Sequence, residues 1–289
     1  MKEKIAACVI LYHPKKEDLD NLKSYMNKVS ILYVFDNTEN KSNLEYFENI
    51  ENVLYFSDLE NQGLSIRLNQ ACKLAINDGY EYLLTMDQDS SFNDENLDKY
   101  LESVANYKDK ENVNVYGIEY NKNDLKDNFP YYEEVDHVIT SACIMNLKVF
   151  DKVGGFDESF FIDSVDIDYC YAGLVKGYKN IKFTNLFFEH SLGESFIRGS
   201  ITSLYFHKKT VKIHSGVRIY YMYRNLLYME KKYTDSLHHF SKKLKKNQLK
   251  HIKRCVKYSD NFIKTCKIII KAKKDFKNNR MGKIINNHL

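Results

Sequence analysis

Four short apolar runs, IAACVILY (5–12), ILYVFDN (31–37), VLYFS (53–57) and YLLTMD (82–87), are separated by stretches with apolar residues every three or four positions. Continuous apolar runs of this length read as strands buried on both faces, and the intervening period reads as helix. The segment 16–28 carries Leu19, Leu22 and Met26; the segment 63–78 carries Leu64, Leu68, Cys72 and Ala75 on one stripe, with Gly79 just beyond. Strands alternating with helices imply a parallel sheet, whose ligands bind outside the carboxyl ends of the strands. Asp36, Asn37, Asp87 and Asp89 all fall at such ends.

Beyond residue 110 the pattern changes. Residues 114–120 and 139–146 read as strands, and 154–178 begins as a glycine-rich loop that becomes a helix from about Val165, with Ile167, Cys170, Tyr171 and Leu174 inward. Residues 180–190 read as a hairpin-like β pair ending at His190.

With 44% hydrophobic residues the chain can build a sizeable core. It opens without a signal-peptide pattern, and no apolar run approaches the ~20 residues of a membrane span. Six scattered cysteines without a Cys-x-x-Cys pair are expected to be reduced, mostly buried thiols of a cytoplasmic protein.

The net charge of +4 hides a division. Residues 230–289 hold 18 of the 43 basic side chains but only 4 of the 39 acidic ones. Such a tail suits a polyanionic surface. Within 237–277, Ile252, Cys255, Val256, Phe262, Ile263, Cys266, Ile269 and Ile270 recur at helical spacing among lysines. That pattern fits helices packed on the rest of the protein with a solvated lysine face, and equally a peripheral anchor on an anionic membrane. No nucleic-acid-binding motif appears, so nucleic acid is not an expected partner.

Four constellations can carry chemistry. Asp87 and Asp89 flank Gln88; they can cap a strand end and the following turn, or converge on one divalent cation beside a diphosphate. Asp163, Asp166 and Asp168 crowd a helix start next to Phe160, Phe161 and Ile162, where they can complement the helix dipole or act as a base of raised pKa. His190 ends an apolar β segment within HSLG (190–193) and suits a structural role or a metal. His214, Arg218 and Arg224 recur among tyrosines in HSGVRIYYMYRN (214–225), which suits a diphosphate clamp or an aromatic-faced amphipathic helix.

Taken in order, VILYHP, FDN, NQGLSIRLNQA, LLTMDQDS, ITSACIMN, VGGFDESFFIDSVDIDYC, HSLG and RIYYMYRN resemble the family-2 glycosyltransferases of the GT-A fold, most closely their bacterial rhamnosyltransferase-like branch. The resemblance covers roughly residues 5–225. It implies a Rossmann-like mixed α/β sheet flanked by helices over residues 1–205; the tail pattern adds a basic helical region over 206–289. It implies inverting, metal-dependent transfer of a sugar, rhamnose first among them, from a dTDP- or UDP-linked donor to a hydroxyl of a glycan or lipid-linked acceptor. Carried over by position, Asp166 is the base, and Asp89 and His190 hold Mn²⁺ or Mg²⁺. Tyr12, Asp36, Asn61, Gly63, Asn69, Asp87, Arg218 and Arg224 lie on the donor side. The branch implies a role in bacterial surface polysaccharide synthesis, and the basic tail suits a place at the inner face of the cell membrane. Val165, Ala172 and Ala142 depart from the commoner family pattern. Two rivals are a haloacid-dehalogenase-type phosphotransferase, which also ends a strand in Asp-x-Asp, and a non-catalytic sugar-nucleotide scaffold.

Overall fold

The computed structural model describes residues 4–120, 122–126, 129–190, 195–203 and 205–284. The chain divides into two compact units: residues 1–157 with 166–191, and residues 158–165 with 192–289. The sequence places a boundary at 205/206. The second unit comprises residues 192–289 with the loop 158–165, which its own side chains hold, as described below.

In chain order the first unit forms β1 (Ile5–Leu11), α1 (Lys16–Leu22), β2 (Leu32–Asp36), β3 (Val53–Ser57), α2 (Leu64–Asn77), β4 (Tyr82–Asp87), β5 (Ser90–Ser91), α3 (Asp94–Asn106), β6 (Val113–Glu119), β7 (Tyr132–Val135), β8 (Cys143–Asn146), α4 (Leu147–Val153), α5 (Val165–Val175), β9 (Lys179–Phe187) and β10 (Glu189–His190). Eight strands make one sheet in the order β3-β2-β1-β4-β8-β6-β9-β7. The first four are parallel, with Leu11 opposite Asp36, Asp36 opposite Ser57 and Ile10 opposite Asp87. Their carboxyl ends therefore share one edge. β8 runs antiparallel between β4 and β6, and β9 lies parallel to β6.

Alternate side chains of β1 face opposite ways. Ile5, Ala7, Val9 and Leu11 pack against Leu22 of α1 and Leu97, Tyr100 and Val104 of α3. On the other face α2 buries Leu68, Cys72 and Ala75, and Cys72 Sγ lies 3.6 Å from Met145 Sδ on β8. All six cysteines are free, and five are buried.

Three expected elements change shape. The 16–28 segment is α1 followed by a 3₁₀ turn, Met26–Lys28. Strand 139–146 shrinks to β8, because Ala142 takes a left-handed φ of 53° that breaks the extended run. Residues 180–190 are no hairpin: β9 is one nine-residue strand paired on both sides, with β6 and with β7, and β10 leaves to pair elsewhere.

The second unit contains the hairpin β11 (Ser195–Gly199) and β12 (Lys208–Lys212), then α6 (Gly216–Tyr233), α7 (His238–Lys257) and α8 (Phe262–Lys277). Ser215 caps α6, its hydroxyl accepting from the Arg218 N–H, and the Asn261 amide oxygen caps α8. Ile219 and Leu226 of α6 pack on Ile252 and Cys255 of α7, while Tyr220 and Tyr221 pack on Ile268 and Ala272 of α8. Gly216 permits a close approach: a Cβ there would sit 2.7 Å from Ile268 Cδ1. Among the described residues no helix is long and apolar enough to cross a membrane.

Candidate active site

β4 delivers Asp87 to the shared carboxyl edge, and the chain turns at once through Gln88 and Asp89 into β5. β10 pairs antiparallel with β5, His190 opposite Ser90. This two-residue bridge carries the imidazole across a hundred residues of sequence to the acidic turn. One ligand atom from each of Asp87, Asp89 and His190 lies within 4.8 Å of the other two, and His190 Nδ1 is 3.4 Å from Asp89 Oδ1. A carboxylate oxygen of each aspartate thus lies near the imidazole and near the other. The rest of HSLG, Ser191 to Gly193, lies outside the described residues.

Two carboxylates and one imidazole, all partly exposed, suit a divalent cation that keeps open positions for water and diphosphate oxygens. The donor set thus fits Mn²⁺ or Mg²⁺. Serines hold it together. The Asp87 N–H donates to Ser141 Oγ (3.2 Å), Ser141 Oγ donates to Ser90 Oγ (2.7 Å), and Ser90 Oγ lies 2.8 Å from His190 Nδ1.

Gln88 points away from the cluster. Its Oε1 accepts from the Tyr12 N–H (2.7 Å), its Nε2 donates to the Tyr12 carbonyl (3.4 Å), and its own carbonyl accepts from Asn21 (3.0 Å). The half-exposed ring of Tyr12 is therefore anchored beside the acidic turn by backbone hydrogen bonds.

Asp166 sits in the first turn of α5, half-buried, its Oδ1 accepting the Ile167 N–H at 2.9 Å. It lines a small cavity with Thr85, Cys143 and Cys170. Thr85 lies opposite Cys143 in the sheet, two residues before Asp87, so Asp166 stands beside the end of β4. Burial pushes the Cys143 thiol up to about 12, against a hydrogen bond with Thr85, and the Asp166 charge adds to the rise. That cysteine is a neutral wall of the cavity.

The other expected donor-side residues make contacts within the protein. Asp36 is fully buried. Burial opposes its charge, but donors from Thr38, Tyr55 and Asn43 outweigh that and hold the carboxyl below its usual range. It shapes the loop after β2. Asn69 is buried on α2 and clamps the turn before α5, donating to the Phe156 carbonyl (2.9 Å) and accepting its N–H (2.8 Å). Asn61 accepts the Gly63 N–H (3.0 Å), and Gly63 adopts φ 83° ahead of α2, a conformation that favours glycine. Arg67, which the sequence reading passed over although it stands in the quoted NQGLSIRLNQA, is buried; it bonds Asn37 (2.8 Å) and pairs with Asp58.

In the second unit Arg218 pairs with Asp163 at 3.1 Å. Arg224, expected to clamp a diphosphate, is only 1% exposed. Its guanidinium donates to the carbonyls of Gly282 (2.9 Å) and Arg280 (3.3 Å) and stacks over Tyr220 and Tyr221. It braces the helical unit. The neighbouring Asn225, to which the sequence reading gave no role, donates to the carbonyls of Ile162 and Asp163, both at 2.8 Å. Asp163 and Ser164, immediately before α5, have left-handed φ of 64° and 66°. Side chains that grip such a turn keep it from relaxing.

Residues 18–156 match the family described as Glycosyl transferase family 2. The chain is also 25% identical over 252 residues to the dTDP-rhamnosyl transferase RfbF of Shigella flexneri, spanning 80% of this chain and 81% of that one.

The chain carries a family 2 glycosyltransferase domain.

Two solved structures share its fold. One is S. aureus TarS 1-349 in complex with UDP-GlcNAc, with a TM-score of 0.56 at 15% identity, covering 94% of this chain and 80% of that one. The other is GalNAc-T7 with UDP, GalNAc and Mn²⁺, with a TM-score of 0.53 at 11% identity, covering 65% of this chain. The glycosyltransferase spans 44% of GalNAc-T7. The mixed sheet flanked by helices is the expected GT-A fold, and the family match speaks against the phosphotransferase rival.

Proposed function

We propose that this glycosyltransferase moves a sugar, rhamnose first among candidates, from a nucleoside diphosphate donor to an acceptor hydroxyl with inversion at the anomeric carbon. The observation that carries the reading is the convergence of Asp87, Asp89 and His190 at the carboxyl edge of the sheet, with Asp166 beside the end of the same strand. The donor choice leans on the resemblance to RfbF; UDP-sugars are the second choice.

Asp89 and His190, with Asp87 in reach, are the residues to hold Mn²⁺ or Mg²⁺. When bound, such an ion neutralises charge that develops on the diphosphate leaving group. Tyr12, beside the acidic turn, faces the nucleoside. Asp166 accepts the proton of the acceptor hydroxyl as its oxygen attacks from the side opposite the diphosphate. A single displacement in this arrangement inverts configuration, and a positioned base typically supplies roughly 10²- to 10⁴-fold in rate. The acceptor is a glycan or lipid-linked glycan of a bacterial surface polysaccharide, met at the inner face of the cell membrane.

The test is NMR of the product formed from a donor of known anomeric configuration. Inverted product, absent with Asp166→Asn, supports the assignment. Retained configuration, or full turnover by that variant, overturns it.

A further inference from the structure

The stripe of apolar residues expected in the basic tail does not pack as one face. On α8 the buried side is formed by Thr265, Ile268, Ala272 and Asp275. Ile263 and Ile270 are 68% and 66% exposed. They stand two turns apart on the opposite side, and Lys267, Lys274 and Lys277 share that side at three- and four-residue spacing. The one acidic residue of α8, Asp275, is buried and occupied by Tyr220 (2.7 Å) and Lys271 (2.9 Å). α7 adds eight basic side chains and no acidic one. A third exposed aliphatic, Ile197 on β11, lies across from Thr210 between Lys208 and Lys212. The next residue, Arg198, pairs with Asp260 (2.9 Å) just ahead of α8.

We infer that the outward face of α8 docks on an anionic lipid surface, Ile263 and Ile270 entering the boundary between headgroups and acyl chains while the lysines around them meet lipid phosphates. An aliphatic pair inside a cationic field is the chemistry of an interfacial helix. The charge argues against a second copy of the chain, because that would set one lysine field against another. A single-stranded nucleic acid stacks on aromatic side chains, and the outward stripe offers none. The inference deepens the membrane side of the proposed function, which supplies its purpose. Its test needs no turnover.

The full chain is sedimented with vesicles of phosphatidylcholine alone and of phosphatidylcholine with phosphatidylglycerol. Binding to the anionic vesicles alone, weakened by salt, is expected. Ile263→Ser with Ile270→Ser lowers partitioning roughly tenfold or more at fixed salt, and Lys267→Glu with Lys274→Glu abolishes it. Both pairs are surface changes, so circular dichroism and donor affinity stay as in the parent; loss of donor binding in the parent would strike the proposed function and leave the vesicle result standing. The inference is overturned by absence of vesicle binding, by equal binding to neutral vesicles, or by unchanged binding of the double serine variant. Tighter retention by duplex DNA than by anionic vesicles at the same salt, or a concentration-dependent dimer lost in the serine variant, also overturns it.

Discussion

His190 Nδ1 lies 2.8 Å from Ser90 Oγ, joined by a strand bridge of two residues on each side. The bond holds the ring at Nδ1, the nitrogen that also lies 3.4 Å from Asp89 Oδ1, and so fixes the imidazole beside the acidic turn. Partners of this kind typically alter metal affinity by tenfold or more when removed. Ser90→Ala is therefore expected to weaken Mn²⁺ binding roughly tenfold, read by calorimetry without donor, with the melting temperature of the apoprotein nearly unchanged.

Asp166→Asn keeps the size and hydrogen bonding of the side chain but removes the basic oxygen. Turnover is expected to fall by roughly 10²-fold or more, with donor affinity close to the parent's. A variant that lost donor binding in step with turnover would place Asp166 on the donor instead.

Arg224 and Asn225 separate stability from turn geometry. Arg224→Ala leaves the carbonyls of Arg280 and Gly282 without their donor and empties a buried volume between Tyr220 and Tyr221. A loss of about 2–4 kcal/mol is expected in urea unfolding. Asn225→Ala frees the 162–163 carbonyls just before α5, so its larger effect is expected on turnover.

His214 has a pKa lowered to about 4, first by burial, then by the charges of Arg218 and His251. The His251 value is lowered as well, again mainly by burial. Well above pH 6.5 each ring is neutral whether folded or unfolded. Between about 6.5 and 4 the unfolded chain takes up the proton first, so acidification across this window favours unfolding. Urea midpoints at pH 7.5 and pH 5 measure it. His214→Gln should flatten the slope.

The first half of the fold was legible because buried parallel strands leave continuous apolar runs, and because Asp36 and Asp87 end two of them. Helix α3 is not among the helices that the sequence pattern predicts. Its charged opening masks Leu97, Tyr100, Leu101 and Val104, whose three- and four-residue spacing was available to read. Of the candidate site, Asp87 and Asp89 carry a local signature, whereas the bond between Ser90 and His190 does not: a two-residue bridge leaves no periodicity. Residues 180–190 read as a hairpin-like pair, yet the Thr184 N–H bonds the Tyr131 carbonyl and β9 runs on. Arg224 was open to two readings for a chemical reason. Arginine serves backbone carbonyls as well as phosphates, and only burial tells them apart.

The central claim is that donor and divalent ion meet at Asp89 and His190. Calorimetry of the full chain with dTDP-rhamnose and UDP-sugars, with and without Mn²⁺, tests it most directly. The account predicts that one donor binds only with the ion and that Asp89→Ala loses this binding while remaining folded. Equal donor affinity without the ion, or in Asp89→Ala, would contradict it.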